Sequence, residues 1–190
     1  MRRSKKREHL VDIALGLFYA QGFHATGIEQ IVSEAGVARM TLYKHFPSKD
    51  DLIIAILERR DEQFRSWLLN FMTAQKEPRQ QILAMFDALG QWFNDEAFPE
   101  HRFCGCLFIN AAAEFSDFKE LAHQVAARHK AVLTKEILKI VEKAGLSNPE
   151  DLVAELMLLK EGAIVTAQVS GDKQAAARAK KIAIKLLAQD

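Results

Sequence analysis

Cysteine is nearly absent: only Cys104 and Cys106 occur in 190 residues, and they sit too close together to build a disulfide framework. Net charge is nearly absent too. At +1, the chain has no whole-molecule field that would demand nucleic acid or a membrane surface. No apolar run approaches the ~20 residues needed to cross a bilayer. Asp12 interrupts the apolar residues soon after the basic N-terminus, so no secretory signal is read there. These absences lead us to expect a cytoplasmic chain with no membrane contact. A Gly-rich phosphate loop, a nucleophile elbow and a paired-histidine zinc helix are also missing, which argues against an enzyme. No cofactor and no metal are expected.

Alternating strand patterns are missing as well, and helical spacing fills the chain from end to end. The expected fold is all-α. Leu10, Ile13, Ala14, Leu17 and Phe18 make the stripe of a helix with one buried face, and Gly22 ends it. Thr26 and Glu29 read as a capping box for a second helix, whose core face would carry Ile28, Ile31, Val32 and Ala35. Gly36 supplies a left-handed exit. A short helix over Arg39–His45 follows, and Pro47 stops it. Ser48 then caps a long helix, with Asp50 and Asp51 favourable in its first turn, running toward Phe71 as a connector.

The remainder reads as a helical bundle. Ile82, Met85, Phe86, Leu89 and Phe93 stripe one helix, and a looser stretch around Pro99 separates it from a short apolar helix through Leu107, Phe108 and Ile109. Ser116 or Asp117 opens a helix toward Gly145, and Asn148-Pro149 marks the N-terminus of another. Gly171 and Asp172 precede the last helix. The expected organisation is an N-terminal part over 1–50, with the connector helix from 49, and a second part over 51–190.

Three short helices with Gly36 in the tight turn between the second and third satisfy the helix-turn-helix pattern. Such a motif buries one face of its recognition helix and offers the other to the major groove. With Leu42 set inward beside Val37 and Phe46, Met40 and Lys44 point most directly away, and Thr41 and Tyr43 lie on the flanks. A cation, hydroxyls and an apolar tip suit phosphates, base edges and thymine methyls. Arg2, Arg3, Lys5, Lys6 and Arg7, opposed only by Glu8, could lie along phosphates as a basic arm or be a solvated terminus.

The run Thr26-Gly27-Ile28-Glu29-Gln30-Ile31, the turn Ala35-Gly36-Val37, and the run from Thr41 through Tyr43, Lys44, His45, Pro47 and Lys49 to Leu52 closely resemble the TetR family of bacterial repressors. The resemblance covers about the first third of the chain. It implies that Thr26 caps the second helix and touches phosphate, and that Arg39, Met40 and Thr41 approach bases. It also implies phosphate contact by Tyr43 and Lys49, and a place at the backbone or a base for His45. A lysine beside exposed helix N–H groups does make an anion site. Met40 departs from the family, which more often has a small residue there, so an operator sequence does not carry over.

The same resemblance implies a homodimer paired through the last two helices, a palindromic operator in double-stranded DNA, and release by a small-molecule effector. Leu152, Leu156, Leu159, Ala175, Ala179, Ile182, Ala183 and Leu186 are the expected dimer residues; the alternative is that both helices pack inside a monomer. An effector pocket would be walled by Phe86, Leu89, Trp92, Phe93, Phe103, Phe108, Phe115, Met157 and Val165, with His129 or Glu161 as polar contacts, so the effector is expected to be largely apolar. The same aromatic stripe also fits a plain core. The segment from Gly105 to Phe115 resembles one in a TetR subgroup and names no ligand.

His101-x-x-Cys104-x-Cys106 could supply soft metal ligands or a redox thiol pair, while free cysteine is ordinarily a small buried hydrophobe. A DNA-bound architectural or partner-recruiting protein of the same fold is the other alternative to a ligand-released repressor.

Overall fold

Ser4 starts the first helix by accepting a hydrogen bond from the Arg7 backbone N–H at 3.4 Å. The computed structural model describes residues 4–188 and holds nine α-helices among them. They are α1 (Lys5–Gln21), α2 (Ile28–Glu34), α3 (Arg39–His45), α4 (Lys49–Thr73), α5 (Pro78–Phe93), α6 (Leu107–Glu114), α7 (Leu121–Lys143), α8 (Pro149–Ser170) and α9 (Ala175–Leu187). Two compact units result. One takes in the residues up to Glu62 together with Leu107–Arg128, and the other Gln63–Cys106 with the residues from His129 on. Helices α4 and α7 supply residues to both.

In the first unit, α1, α2 and α3 pack on one another. The cations Lys5, Lys6 and Arg7 lie inside the first turns of α1 rather than in an arm before it; Arg2 and Arg3 lie outside the described residues. The buried face of α1 also differs from the expected stripe. Leu10, Ala14 and Phe18 are buried with Val11, Leu15 and Tyr19, whereas Ile13 and Leu17 are only half-buried. Gly36, at φ +62°, makes the left-handed turn out of α2, and the Val37 N–H reaches back to the Val32 carbonyl at 3.1 Å.

The capping box forms at α4 and not at α2. The Asp51 N–H donates to Ser48 Oγ at 3.1 Å while the Ser48 N–H donates to Asp51 Oδ2 at 3.0 Å. Arg59 of α4 ties this helix to α1 through Glu8 and through Asp12 at 2.9 Å.

The helix expected to open at Ser116 or Asp117 opens instead at Leu121. Asp117 prefers a local turn: its Oδ1 accepts the Lys119 N–H at 2.9 Å. Before that turn, Glu114 closes α6 onto the α1–α2 connection. Its carboxylate accepts the Phe23 N–H at 2.8 Å and the His24 N–H at 2.6 Å, and its carbonyl accepts from His24 Nε2 at 3.0 Å, with the ring tautomer chosen to suit. Phe115 continues the contact against the Phe23 and His24 rings, 5.6 and 5.0 Å between centroids.

In the second unit, Pro149 occupies the first turn of α8 as its fixed φ favours, but Asn148 makes no side-chain cap. Helix α9 packs on α5 and α8. Ile82, Met85, Phe86, Leu89 and Phe93 are buried on α5, as the periodicity implies. Lys180 of α9 donates to both carboxylate oxygens of Asp87 on α5, at 2.7 and 2.6 Å, and Arg79 reaches the Leu187 carbonyl.

Replacing Glu114 by alanine leaves two backbone N–H groups without their charged acceptor. We expect a loss of about 1.5–3 kcal/mol in urea unfolding, only partly recovered by Glu114→Gln, whose single amide oxygen can accept one of the two N–H groups.

Candidate nucleic-acid interface

Helix α3 is set by one residue. Leu42 is wholly buried and Phe46 closes the helix beneath it, while Val37 is half-buried. A helix turns about 100° per residue, so fixing Leu42 inward fixes what faces out. Met40 is 78% exposed, Arg39 and Lys44 are exposed, and Thr41, Tyr43 and His45 are half-buried on the flanks. The outward set is therefore the one the sequence implies.

Arg39 is already engaged within this face. Its guanidinium lies 5.5 Å from the Tyr43 ring centroid and 2.8 Å from Glu29. The Tyr43 side chain first, then the Glu29 carboxylate, holds the Arg39 pKa above its ordinary value. The pair is exposed and contributes little to stability, so a phosphate can displace Glu29 at small cost. Lys49, in the first turn of α4, has its ammonium 5.7 Å from the Phe18 ring. Arg7 similarly covers Phe46 at 4.9 Å, which places a cation against the end of α3.

Thr26 is the exception among the expected contacts. It neither caps α2, whose N-cap is Gly27, nor reaches the surface. Its side chain is wholly buried and its hydroxyl donates to the Gly22 carbonyl at 2.8 Å. The hydroxyl closes the α1–α2 turn from inside, which leaves it nothing to offer a phosphate. Glu29, the other half of the expected box, pairs with Arg39 instead.

Residues 10–56 match the family described as bacterial regulatory proteins, tetR family, and residues 78–183 match the tetracyclin repressor-like C-terminal domain. The chain belongs to the TetR family. It is a helix-turn-helix transcription regulator. Among its relatives, the transcriptional activator FasR of Mycolicibacterium smegmatis is 33% identical over 86 residues, covering 45% of this chain and 39% of that protein. The transcriptional regulator LmrA of Bacillus subtilis is 27% identical over 132 residues, 69% of this chain and 70% of that one. A TetR-family transcriptional regulator from Streptomyces coelicolor superposes with a TM-score of 0.88 at 27% identity, covering 98% of this chain and 90% of that one.

For this TetR-family chain the expected effector wall is divided. Phe108 and Phe115 belong to the first unit. In the second, Phe86, Leu89, Trp92, Phe93 and His129 are buried, and Trp92, Phe93 and Phe103 form a mutual ring cluster with centroids 4.9–6.2 Å apart. Phe93 and Phe103 also line a cavity of about 260 Å³, whose other walls include Asp95, Arg102, Cys104 and Gln168. Val165, by contrast, lies on the outside of α8 at 41% exposure. Glu161 is taken by Lys130 and Lys160, each 2.5 Å away. Burial works to raise its pKa, but the two ammonium groups outweigh burial and hold the carboxyl below its ordinary value.

The expected dimer residues also divide. Leu152, Leu156, Ala175, Ala179 and Ala183 are buried inside the chain's own second unit, because the small alanines let α9 approach α5 and α8 closely. Leu159 and Leu186 are half-buried and Ile182 is exposed. The apolar surface that α8 leaves outside consists instead of Leu158, Val165 and Val169, at 74, 41 and 78% exposure. Single-sequence periodicity did not separate these faces, because α8 is apolar nearly all round. Among the described residues, no three His, Cys, Asp or Glu side chains gather as metal ligands, so His101, Cys104 and Cys106 make no such set. No helix among the described residues is long and apolar enough to cross a membrane.

Thr26→Val separates the two roles weighed for this residue. An internal tie predicts a stability loss of about 1–3 kcal/mol in urea unfolding, from the stranded Gly22 carbonyl. A phosphate contact predicts unchanged stability and weaker DNA binding.

Proposed function

We infer that the chain is a cytoplasmic homodimeric repressor that binds an inverted-repeat operator and is released by a small, largely apolar effector. The observation that carries the DNA-binding face is the burial of Leu42, which turns Met40 and Lys44 outward. Residues 1–50 would read the operator, with α4 as connector from 49, and residues 51–190 would carry pairing and effector binding.

On α3, Arg39, Met40 and Thr41 approach bases, Tyr43 and Lys44 meet the backbone and His45 the backbone or a base, while Lys49 at the start of α4 meets the backbone. Met40 offers an apolar tip to a thymine methyl, so its replacement should change base preference more than total affinity. Two copies related by a two-fold axis present two such helices and therefore read a palindrome. Leu158, Val165 and Val169 recur at intervals of seven and four along α8, as one face of a helix does, and Ile182 adds exposed apolar surface on α9. Buried between two copies, that stripe would be withdrawn from water.

The effector acts only if it prefers the conformation that does not bind DNA. The aromatic cluster of Trp92, Phe93 and Phe103 beside the 260 Å³ cavity is the place to look for it, with Arg102 and Lys173 as the polar partners at its wall.

Lys44→Ala should weaken binding to the chain's own upstream DNA by about tenfold or more in a salt-controlled gel shift, with unfolding unchanged. Equal affinity of the variant would remove Lys44 from the interface. A reporter driven by that DNA should rise when the protein is deleted; a fall would make the protein an activator.

Leu158→Asp should turn a dimer into a monomer in light scattering at micromolar concentration while leaving helical content by circular dichroism unchanged. A monomeric unmodified chain would overturn the pairing.

A further inference from the structure

Arg39 opens α3 and is met there by a carboxylate from another helix. Its Nη1 lies 2.8 Å from Oε1 of Glu29, which stands in the first turn of α2. Its guanidinium also lies 5.5 Å from the centroid of the Tyr43 ring, one turn further along α3. All three residues belong to the first unit, and both members of the ion pair are exposed. An acid in the first turn of α2 already suits the helix dipole. The contact with Arg39 adds something else: a fixed direction and a cancelled charge for the side chain at the N-terminal end of α3. In a helix-turn-helix, that end of the recognition helix is the one that meets base edges.

Several acceptors compete for a guanidinium at a DNA surface. A phosphate draws it through charge, whatever the sequence. A guanine offers two acceptors, O6 and N7, along one uncharged edge, whereas adenine offers one acceptor and one donor. Pairing with Glu29 acts on these acceptors unequally. The carboxylate cancels the charge that attracts a phosphate, and a phosphate that displaced it would lie beside the released anion. The guanine edge meets no such penalty. A guanidinium carries more N–H donors than the Glu29 contact uses, so a parallel pair is left to match O6 and N7. The Tyr43 ring packs against the guanidinium and removes rotamer freedom before DNA arrives.

We propose that Glu29 is a positioning residue that makes Arg39 read a guanine instead of gripping phosphate. The inference rests on α3 being the recognition helix. Glu29 itself needs no contact with DNA. Its removal frees Arg39 to turn to the backbone, which raises affinity for any duplex and lowers discrimination among duplexes. Lys44 differs in this respect, because loss of a backbone contact weakens binding to all sequences alike.

The test is selection of binding sites from a randomised duplex pool by the full-length protein at fixed salt. The selected duplex and a random-sequence duplex are then titrated. The unmodified chain should enrich a guanine that, replaced by 7-deazaguanine to remove N7, costs about tenfold in affinity. Arg39→Lys keeps the charge without the fork and should lose that guanine alone. Glu29→Ala should lose it at the same position, bind the random duplex more tightly, and steepen the log–log salt dependence by about one. Glu29→Gln, whose amide oxygen still accepts from Nη1, should restore part of the base preference while keeping the raised random-duplex affinity. A Glu29→Ala profile identical to that of the unmodified chain would overturn the proposal. So would a loss at a different position from that of Arg39→Lys, since Glu29 would then touch a base itself. Should Glu29→Ala fail to fold, selected sites that tolerate 7-deazaguanine at every guanine overturn it on the unmodified chain alone. Lys44→Ala separates the two readings: an effect of Lys44 with an indifferent Glu29 removes only the positioning role, and no effect of either removes the recognition helix as well.

Discussion

Burial of Leu42 is the constraint on which the reading face depends. A seven-residue helix has too few internal hydrogen bonds to hold itself, and α3 exists because Leu42 and Phe46 are withdrawn from water against α1 and α2. The same burial chooses the face. Because the helical repeat is fixed, one inward side chain assigns the outward positions to Met40 and Lys44 without any further specification. Gly36 makes the short turn sterically acceptable, and its open surroundings leave the left-handed φ as the reason for glycine at that position.

A second constraint acts on the connection between α1 and α2. Gly22 sits at φ +92°, and a Cβ there would come within 2.9 Å of Glu114 Oε1. The absence of a side chain lets the carboxylate reach the Phe23 and His24 N–H groups, while Thr26 satisfies the Gly22 carbonyl from the other side. The Phe23 and His24 N–H groups and the Gly22 carbonyl are thereby paired by one glutamate and one threonine. Helix α6, more than eighty residues away in sequence, becomes part of the helix-turn-helix unit through this contact.

The second unit distributes its charges unlike a plain hydrophobic bundle. Lys180 and Asp87 join α9 to α5 at a site that is partly exposed, where such a pair orients more than it stabilises. In the Lys130–Glu161–Lys160 group only Lys160 is wholly buried, while Lys130 and Glu161 are partly exposed, and its members hold one another's protonation in place. A core made only of aliphatic side chains would be cheaper to bury, so the cost is concentrated around Cys106.

The sequence by itself determined what is local and periodic. The all-α class follows from 3.6-residue spacing, the turn from Gly36, the inward Leu42 from the short α3 pattern, and the α4 start from Ser48 and Asp51, since each depends on neighbours a few residues away. Tertiary structure decided what depends on remote partners. Thr26 looked like a cap because Glu29 lies three residues on, but Gly22 took its hydroxyl and Arg39 took the glutamate. Helix α8 is apolar on nearly every side, so only its packing with α9 shows that Leu156 is core and Leu158 is surface. Nor could spacing reveal that Glu114 closes the α1–α2 turn, or that Lys130 bridges Cys106 and Glu161. Those contacts bridge 90, 24 and 31 residues, distances at which periodicity carries no information and only folding brings the side chains together.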